Sequence, residues 1–284
     1  MGFGLSGATG AESARARQAP PDAARALEAA YGAARWAAWA EADPLGLVRL
    51  YDDPRDQEIA GFIAAGLAYG RVASILASVS SILSLMPQGP RAFLETFRAD
   101  RDAAVFERCI HRFHTAESVV AMLETLRIAL ERHSSLEAMF LSGHSPGAPD
   151  IGPALCNFVD GLRSITVEAY GPDWANGLYG WRHALASPAD GSACKRLNLF
   201  LRWMVRTGPP DLGAWRGIHP RRLVIPVDVH VARIARRLGL TARASPDWRM
   251  AMEITAALRS IDPEDPIRFD FVISHIGMEG EAWT

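Results

Sequence analysis

Lysine is almost missing from this chain. Of the 30 Lys and Arg residues among 284, Lys195 is the one lysine. Every other fixed positive charge is a guanidinium, which stays protonated at any working pH and forms no Schiff base, whereas a lysine amine can act as a nucleophile. A bias against lysine codons explains the scarcity but not the address of the survivor. Cysteine is scarce too. Cys109, Cys156 and Cys194 are widely spaced and form no C-x-x-C pair, which argues against a disulfide framework or a clustered metal site and suits a reducing cytoplasm. No run approaches 18 apolar residues, so no membrane span is expected. Residues 1–21 lack the apolar core of a secretion signal and read as a flexible tail. The net charge of −2 argues neither for nor against a nucleic-acid partner.

Strand signals are weak as well. The best, at 223–227, is short and interrupted by Pro226. Helical periodicity fills the rest: an Ala-rich helix at 22–42 broken by Asp43-Pro44, and one long helix or two bent near Tyr69-Gly70 at 55–84. Shorter helices follow at 91–97, 103–106 and 116–132, then one at 154–168. The Gly, Ser and Pro-rich stretch at 141–153 reads as a loop and a lobe boundary. The fold class is all-α, with residues 22–284 as the helical domain. Charge is uneven: residues 195–243 hold eleven Lys or Arg against Asp211 and Asp228, a local excess of +9. Solvated helix faces explain such a run, and so does a phosphate-binding surface, which is favoured here.

Around the lysine the sequence reads D-G-S-A-C-K-R-L-N-L-F-L-R-W-M-V-R. Asp190-Gly191-Ser192 is a turn with Ser192 as N-cap, which predicts a helix over 193–206 with Lys195 in its first turn. Basic side chains belong near helix C-termini, and Arg196 is adjacent, so structure alone would not put a cation there. Lys195, Asn198, Arg202 and Arg206 share one strip by their spacing. A second helix begins at Val229, with Arg233, Arg236 and Arg237 outward, Gly239 as C-cap and Asp228 in the N-cap position. An N-cap needs nothing more from Asp228. Asp228-Val229-His230 is not completed into a metal site by any second cluster, so no metal is expected and His230 reads as a packed or hydrogen-bonding histidine.

The segment P-V-D-V-H-V-A-R-I-A-R-R-L-G-L, together with Lys195 after D-G-S-A-C, resembles the helix–hairpin–helix DNA glycosylase superfamily. The chain is most similar to a bacterial family of unknown function carrying G-S-A-C-K-R-L-N-x-F-L-R-W-M-V-R, and it resembles archaeal 8-oxoguanine DNA glycosylases in the wide separation of Lys195 and Asp228. It departs from the usual pattern in lacking L-P-G-V-G in the hairpin loop, in having Val229 where Thr is usual, and in lacking a four-cysteine loop. The resemblance implies a two-lobed helical fold, with hairpin and catalytic segment at about 178–240. It also implies a bifunctional glycosylase and abasic-site lyase acting on double-stranded DNA with a damaged base, 8-oxoguanine favoured, without a cofactor. A monomer in the bacterial cytoplasm, associated with the nucleoid, is expected. Lys195 would attack the sugar C1′ of a nucleotide flipped from the duplex, and Asp228 would stabilise the developing charge. Ser192, Arg196, Asn198, Arg202, Arg206, His230 and Arg233 would face DNA, with backbone N–H groups of 190–193 holding phosphate. Tyr69 or Arg71 would fill the gap left by the flipped base. One or two of Phe200, Trp203, Trp215, Trp181 and Tyr69 would stack on that base. A final helix at 261–278 would carry Asp270 and His275 on its polar side. The competing readings are a non-catalytic helix–hairpin–helix nucleic-acid binder and a helical interaction module built on the N-terminal helix.

Overall fold

The computed structural model describes residues 18–279, and among them there is no β-strand, only helices, 3₁₀ turns and loops. The chain is all-α, as expected. Residues 1–17 of the expected tail lie outside the described residues. From Ala19 onward the chain is engaged: Ala19 N donates to Ser260 Oγ at 3.0 Å, and a helix starts at Pro21.

The principal helices are α1 Pro21–Gly32, α2 Pro54–Gly66, α3 Val72–Leu83, α4 Ala116–His133, α5 Gly152–Tyr170, α6 Tyr179–Ala184, α7 Lys195–Val205, α8 Val229–Arg237, α9 Trp248–Arg259 and α10 Asp270–Glu279. The helix expected over 22–42 is two, α1 and Trp36–Glu41. The long apolar segment is also two, α2 and α3, because the chain turns through Gly70 at a left-handed φ of +101°, open to glycine at little cost.

α2 is the central helix. Asp53 caps it by accepting from Arg55 N at 2.8 Å, and Pro54 fixes its first turn. From Glu58 to Gly66 every residue is buried, which accounts for its lack of a polar face. α7 crosses it closely: a Cβ added to Gly61 would lie 2.9 Å from Met204 Cε, and Phe62 meets Phe200 edge to face at 5.3 Å. Buried Glu58 ties two segments to α2, the helix Leu136–Ser142 and the loop at Trp215, by accepting from Leu136 N (3.0 Å), Glu137 N (2.9 Å) and Trp215 Nε1 (2.8 Å). α8 packs against α10.

Three expectations are corrected. Residues 223–227 are buried but pair with no strand; Ile225 N donates instead to Thr255 Oγ1 of α9 at 3.0 Å. The helix expected at 193 starts at Lys195, because Cys194 takes a left-handed φ of +49°. The strip of Asn198, Arg202 and Arg206 on α7 faces inward. Arg202 pairs with Asp211 (3.1 Å) and Asp270, and Arg206 with Asp211 and Asp265 (2.8 Å). Carboxylates brought in from loops and from α10 make burial of two guanidiniums tolerable.

Candidate functional site

Lys195 owes its position to the turn before it. Ser187 and Asp190 form a capping box around a 3₁₀ turn, and Arg163 pairs with Asp190 at 2.5 Å. Gly191 then reverses the chain at φ +74°. Ser192 Oγ accepts from Cys194 N at 3.1 Å, and the Cys194 thiol points back to Ala186 O at 3.3 Å. Burial pushes that thiol up to about 12, so it stays protonated and is no nucleophile. Lys195 is thus the first residue of α7, where the helix leaves its N–H groups unpaired. Its Nζ reaches across to the end of α2 and donates to Ala68 O at 3.2 Å.

Asp228 comes from the opposite direction, at the head of α8. Its Oδ1 accepts from His230 N and Val231 N, both at 2.9 Å. Its Oδ2 lies 3.3 Å from Lys195 Nζ. Both side chains are about one-third exposed or less, Lys195 at 32% and Asp228 at 27%. Burial alone would raise the carboxyl, but Lys195 and the α8 N–H groups outweigh it and hold it below the usual carboxylate range. Asp228 is therefore ionised at neutral pH, against the only ε-amine in the chain.

Two cavities of about 340 Å³ each open on this pair, and both are lined by Ala68, Tyr69, Lys195, Asp228 and Val229. This volume falls in the range of small-molecule sites, roughly 300–1,000 Å³. The first runs toward His183, Ser192, Arg196 and Pro246. The second runs toward Asp43, Leu199, Arg202, Asp270, Phe271 and His275. Its polar wall is incompletely satisfied: Arg202 Nη2 and Asp270 Oδ1 are buried without a hydrogen-bond partner among the described residues, an arrangement that calls for explanation in a folded protein. Burial raises Asp43 and pushes Asp270 up to about 6, against the pull of Arg202. Four carboxylates, Asp43, Asp211, Asp265 and Asp270, surround two guanidiniums here, so one carboxyl taking up a proton is the expected response.

Tyr69 stands where the cavities meet. Arg196 does not extend into solvent. It hydrogen-bonds the His183 ring and carbonyl and lies over the Tyr69 ring, 5.4 Å from its centroid. Burial draws His183 down to about 4, with Arg196 adding to the effect, and draws His114 down to about 3; both are neutral at physiological pH.

The structure brings Lys195, Asp228, Tyr69, Ser192 and His230 to one groove. Arg71 is exposed at the start of α3, and Arg233 is exposed midway along α8. Asn198 and Arg202, expected to face DNA, are each 1% exposed, and Arg206 likewise, so none is a surface phosphate contact. Asn198 Nδ2 instead closes on Ala193 O at 3.1 Å. The N–H groups of Asp190 and Gly191 are used inside their own turn. Phe200, Trp203, Trp215 and Trp181 are core, which leaves Tyr69 of the five aromatics considered. Asp270 and His275 are buried rather than on a polar face. Asp43, read as a helix breaker, and Phe271 were missed as cavity residues; an acid followed by proline signals a cap, and nothing local signals what the cap faces.

Residues 43–279 match the model of a family described as "Protein of unknown function (DUF2400)". No curated protein and no solved structure matches the chain.

Proposed function

The chain belongs to the DUF2400 family, and we propose that it is a DNA repair glycosylase with abasic-site lyase activity that excises an oxidised purine, 8-oxoguanine favoured, through Lys195. The same reading takes the fold as the two-lobed helix–hairpin–helix type and the protein as a monomer working on chromosomal DNA in the bacterial cytoplasm. The observation that carries it is the 3.3 Å approach of Lys195 Nζ to Asp228 Oδ2 in a groove between two cavities.

The chemistry follows from that placement. A target nucleotide leaves the stack, since its reacting carbon is inaccessible within it. Asp228 accepts a proton from the Lys195 ammonium, and the amine attacks C1′. The Nζ–C1′ bond forms as the glycosidic bond breaks, and the base departs with the bonding pair and takes the proton held by Asp228. Asp228 returns to its ionised form beside the sugar, whose developing positive charge it stabilises. Opening of the sugar ring gives a Schiff base, and loss of a C2′ proton then expels the 3′ phosphate. The cavity walled by Arg202, Asp270 and Asp43 supports the reading as a chamber for the base, because a donor and an acceptor stand there unpartnered.

Borohydride trapping on a duplex containing 8-oxoguanine tests it. A covalent adduct is expected with the native chain and not with Lys195→Gln. No adduct with the native chain, or an equal one with the variant, overturns the proposal. Asp228 also caps α8 with two hydrogen bonds, as the non-catalytic binder reading requires. Lys195→Arg separates the two readings, because arginine keeps the charge and phosphate contact but forms no Schiff base.

A further inference from the structure

Beside the groove, a tight turn is built to hold two side chains outward. His111 N donates to His114 O at 2.9 Å and His114 N to His111 O at 2.8 Å, leaving Arg112-Phe113 at the tip. Arg112 adopts a left-handed φ of +51°, unfavourable for a residue with a side chain and maintained only where the surroundings enforce it. They do so from three sides. The His111 ring bonds Ser78 Oγ and Tyr69 O, each at 3.0 Å. Tyr69 Oη donates to His111 O (3.0 Å) and shares a hydrogen bond with His114 Nδ1 (2.8 Å). Behind the turn, α6 approaches so closely that a Cβ on Gly180 would fall 2.5 Å from Phe113 O.

What this frame presents is an aromatic ring in solvent. Phe113 is 46% exposed, stacked on Tyr69 at 6.0 Å and 11° and edge-on to Tyr179 and His183 at 5.4 and 5.7 Å. Guanidiniums rim it. Arg112 lies 5.9 Å from the Phe113 ring centroid and Arg182 5.1 Å from that of Tyr179, and exposed Arg71 follows Gly70, where an added Cβ would lie 3.0 Å from Arg112 Cδ. Among the described residues none of the three pairs with a carboxylate, although the chain as a whole carries −2. Tyr69, at the back of the shelf, lines both cavities with Lys195. Stacking faces interleaved with unpaired cations suit nucleobases strung on phosphates.

Resting on the glycosylase reading, we infer that Phe113, with Arg112, is the element that enters the base stack of duplex DNA beside the extruded nucleotide. Tyr69, with Arg71 one of the two residues expected from the sequence to fill that gap, is half-buried and hydrogen-bonded in place, and serves as the backing on which Phe113 rests. Arg112 and Arg182 hold the flanking phosphates.

The test uses the full chain with Lys195→Gln, which prevents reaction, and a duplex carrying a tetrahydrofuran abasic analogue next to 2-aminopurine. Binding of the parent should change 2-aminopurine fluorescence. Phe113→Ala should bind roughly tenfold or more weakly, the scale of one lost base–aromatic stack, and lose the fluorescence change, with its circular dichroism and unfolding midpoint unchanged. Phe113→Trp should restore both signals. A Phe113→Ala chain that binds within twofold of the parent with the full fluorescence change overturns the inference. So does Phe113-dependent self-association without DNA binding, which would make a second copy the occupant. The borohydride adduct of the Lys195 chain is read separately. An adduct with a silent Phe113 sinks the inference alone; a Phe113-dependent fluorescence change without any adduct sinks the chemistry and leaves the stacking element standing.

Discussion

Asp228 divides its two oxygens between Lys195 and the helix that carries it: Oδ1 caps α8 through His230 N and Val231 N, and Oδ2 faces Lys195 Nζ. The cap fixes the carboxylate's direction without help from a separate positioning residue. Capping and chemistry are therefore separable by substitution. Asp228→Asn keeps an oxygen for the cap and loses the charge, so stability should stay near that of the parent while adduct formation falls roughly 10²–10⁴-fold. Asp228→Ala should lose the activity and, in addition, about 1 kcal/mol of stability. Denaturant unfolding and trapping kinetics on the same preparations check both; an unchanged trapping rate in Asp228→Asn would remove the carboxylate from the reaction.

Asp228 and Asp270, two of the carboxyls that line the groove, should respond to pH in opposite senses. Asp228 is held below its ordinary value near 3.8, so the stability it contributes is fully present above that value and is lost as pH falls through the lower folded one. Asp270 is pushed up to about 6 by burial. Between its ordinary value and 6 the folded state binds the extra proton, so stability falls as pH rises across that window. Urea unfolding at half-unit steps from pH 4 to 7 should show Asp270→Asn lacking part of this downward slope. An identical slope in the variant would place the proton elsewhere.

Cys194 adjoins the reactive amine yet should be inert. Burial holds its thiol at about 12, and its Sγ is engaged with Ala186 O and Ser192 O. Iodoacetamide at pH 8 should modify half-buried Cys156 before Cys194 or buried Cys109, as read by peptide mass spectrometry of the folded protein. Early alkylation at Cys194 would show that the turn opens readily.

Glu58 lies away from the groove but anchors the helix whose end receives Lys195. Replacing it by alanine strands Leu136 N, Glu137 N and Trp215 Nε1 in a buried setting. Unsatisfied buried donors cost roughly 1–3 kcal/mol each, so Glu58→Ala should rank among the most destabilising single changes in the chain. Glu58→Gln, which retains an acceptor, should lose less, with denaturant midpoints as the measure.

The sequence disclosed the helices and placed Lys195 and Asp228 at the heads of two of them, since such starts are marked by local turn chemistry; that the two side chains meet is implied by the resemblance alone, and the 3.3 Å approach comes from the fold. The sequence misplaced Asn198, Arg202 and Arg206 for the same reason. Their spacing truly forms one strip, but periodicity cannot tell a strip facing water from one facing Asp211, Asp265 and Asp270, which arrive from distant parts of the chain. The excess of +9 over residues 195–243 is correspondingly smaller at the surface. The turn at His111 and His114 left no mark in the pattern, because its order comes from Tyr69, Ser78 and Gly180 rather than from its own residues.

A solitary ε-amine, one-third exposed and opening on two cavities at once, is also a ready-made reporter. Reductive methylation with ¹³C-formaldehyde would place label on Lys195 and, apart from the chain's own α-amine, nowhere else. Its methyl resonance would then register occupancy of either cavity without a single engineered substitution.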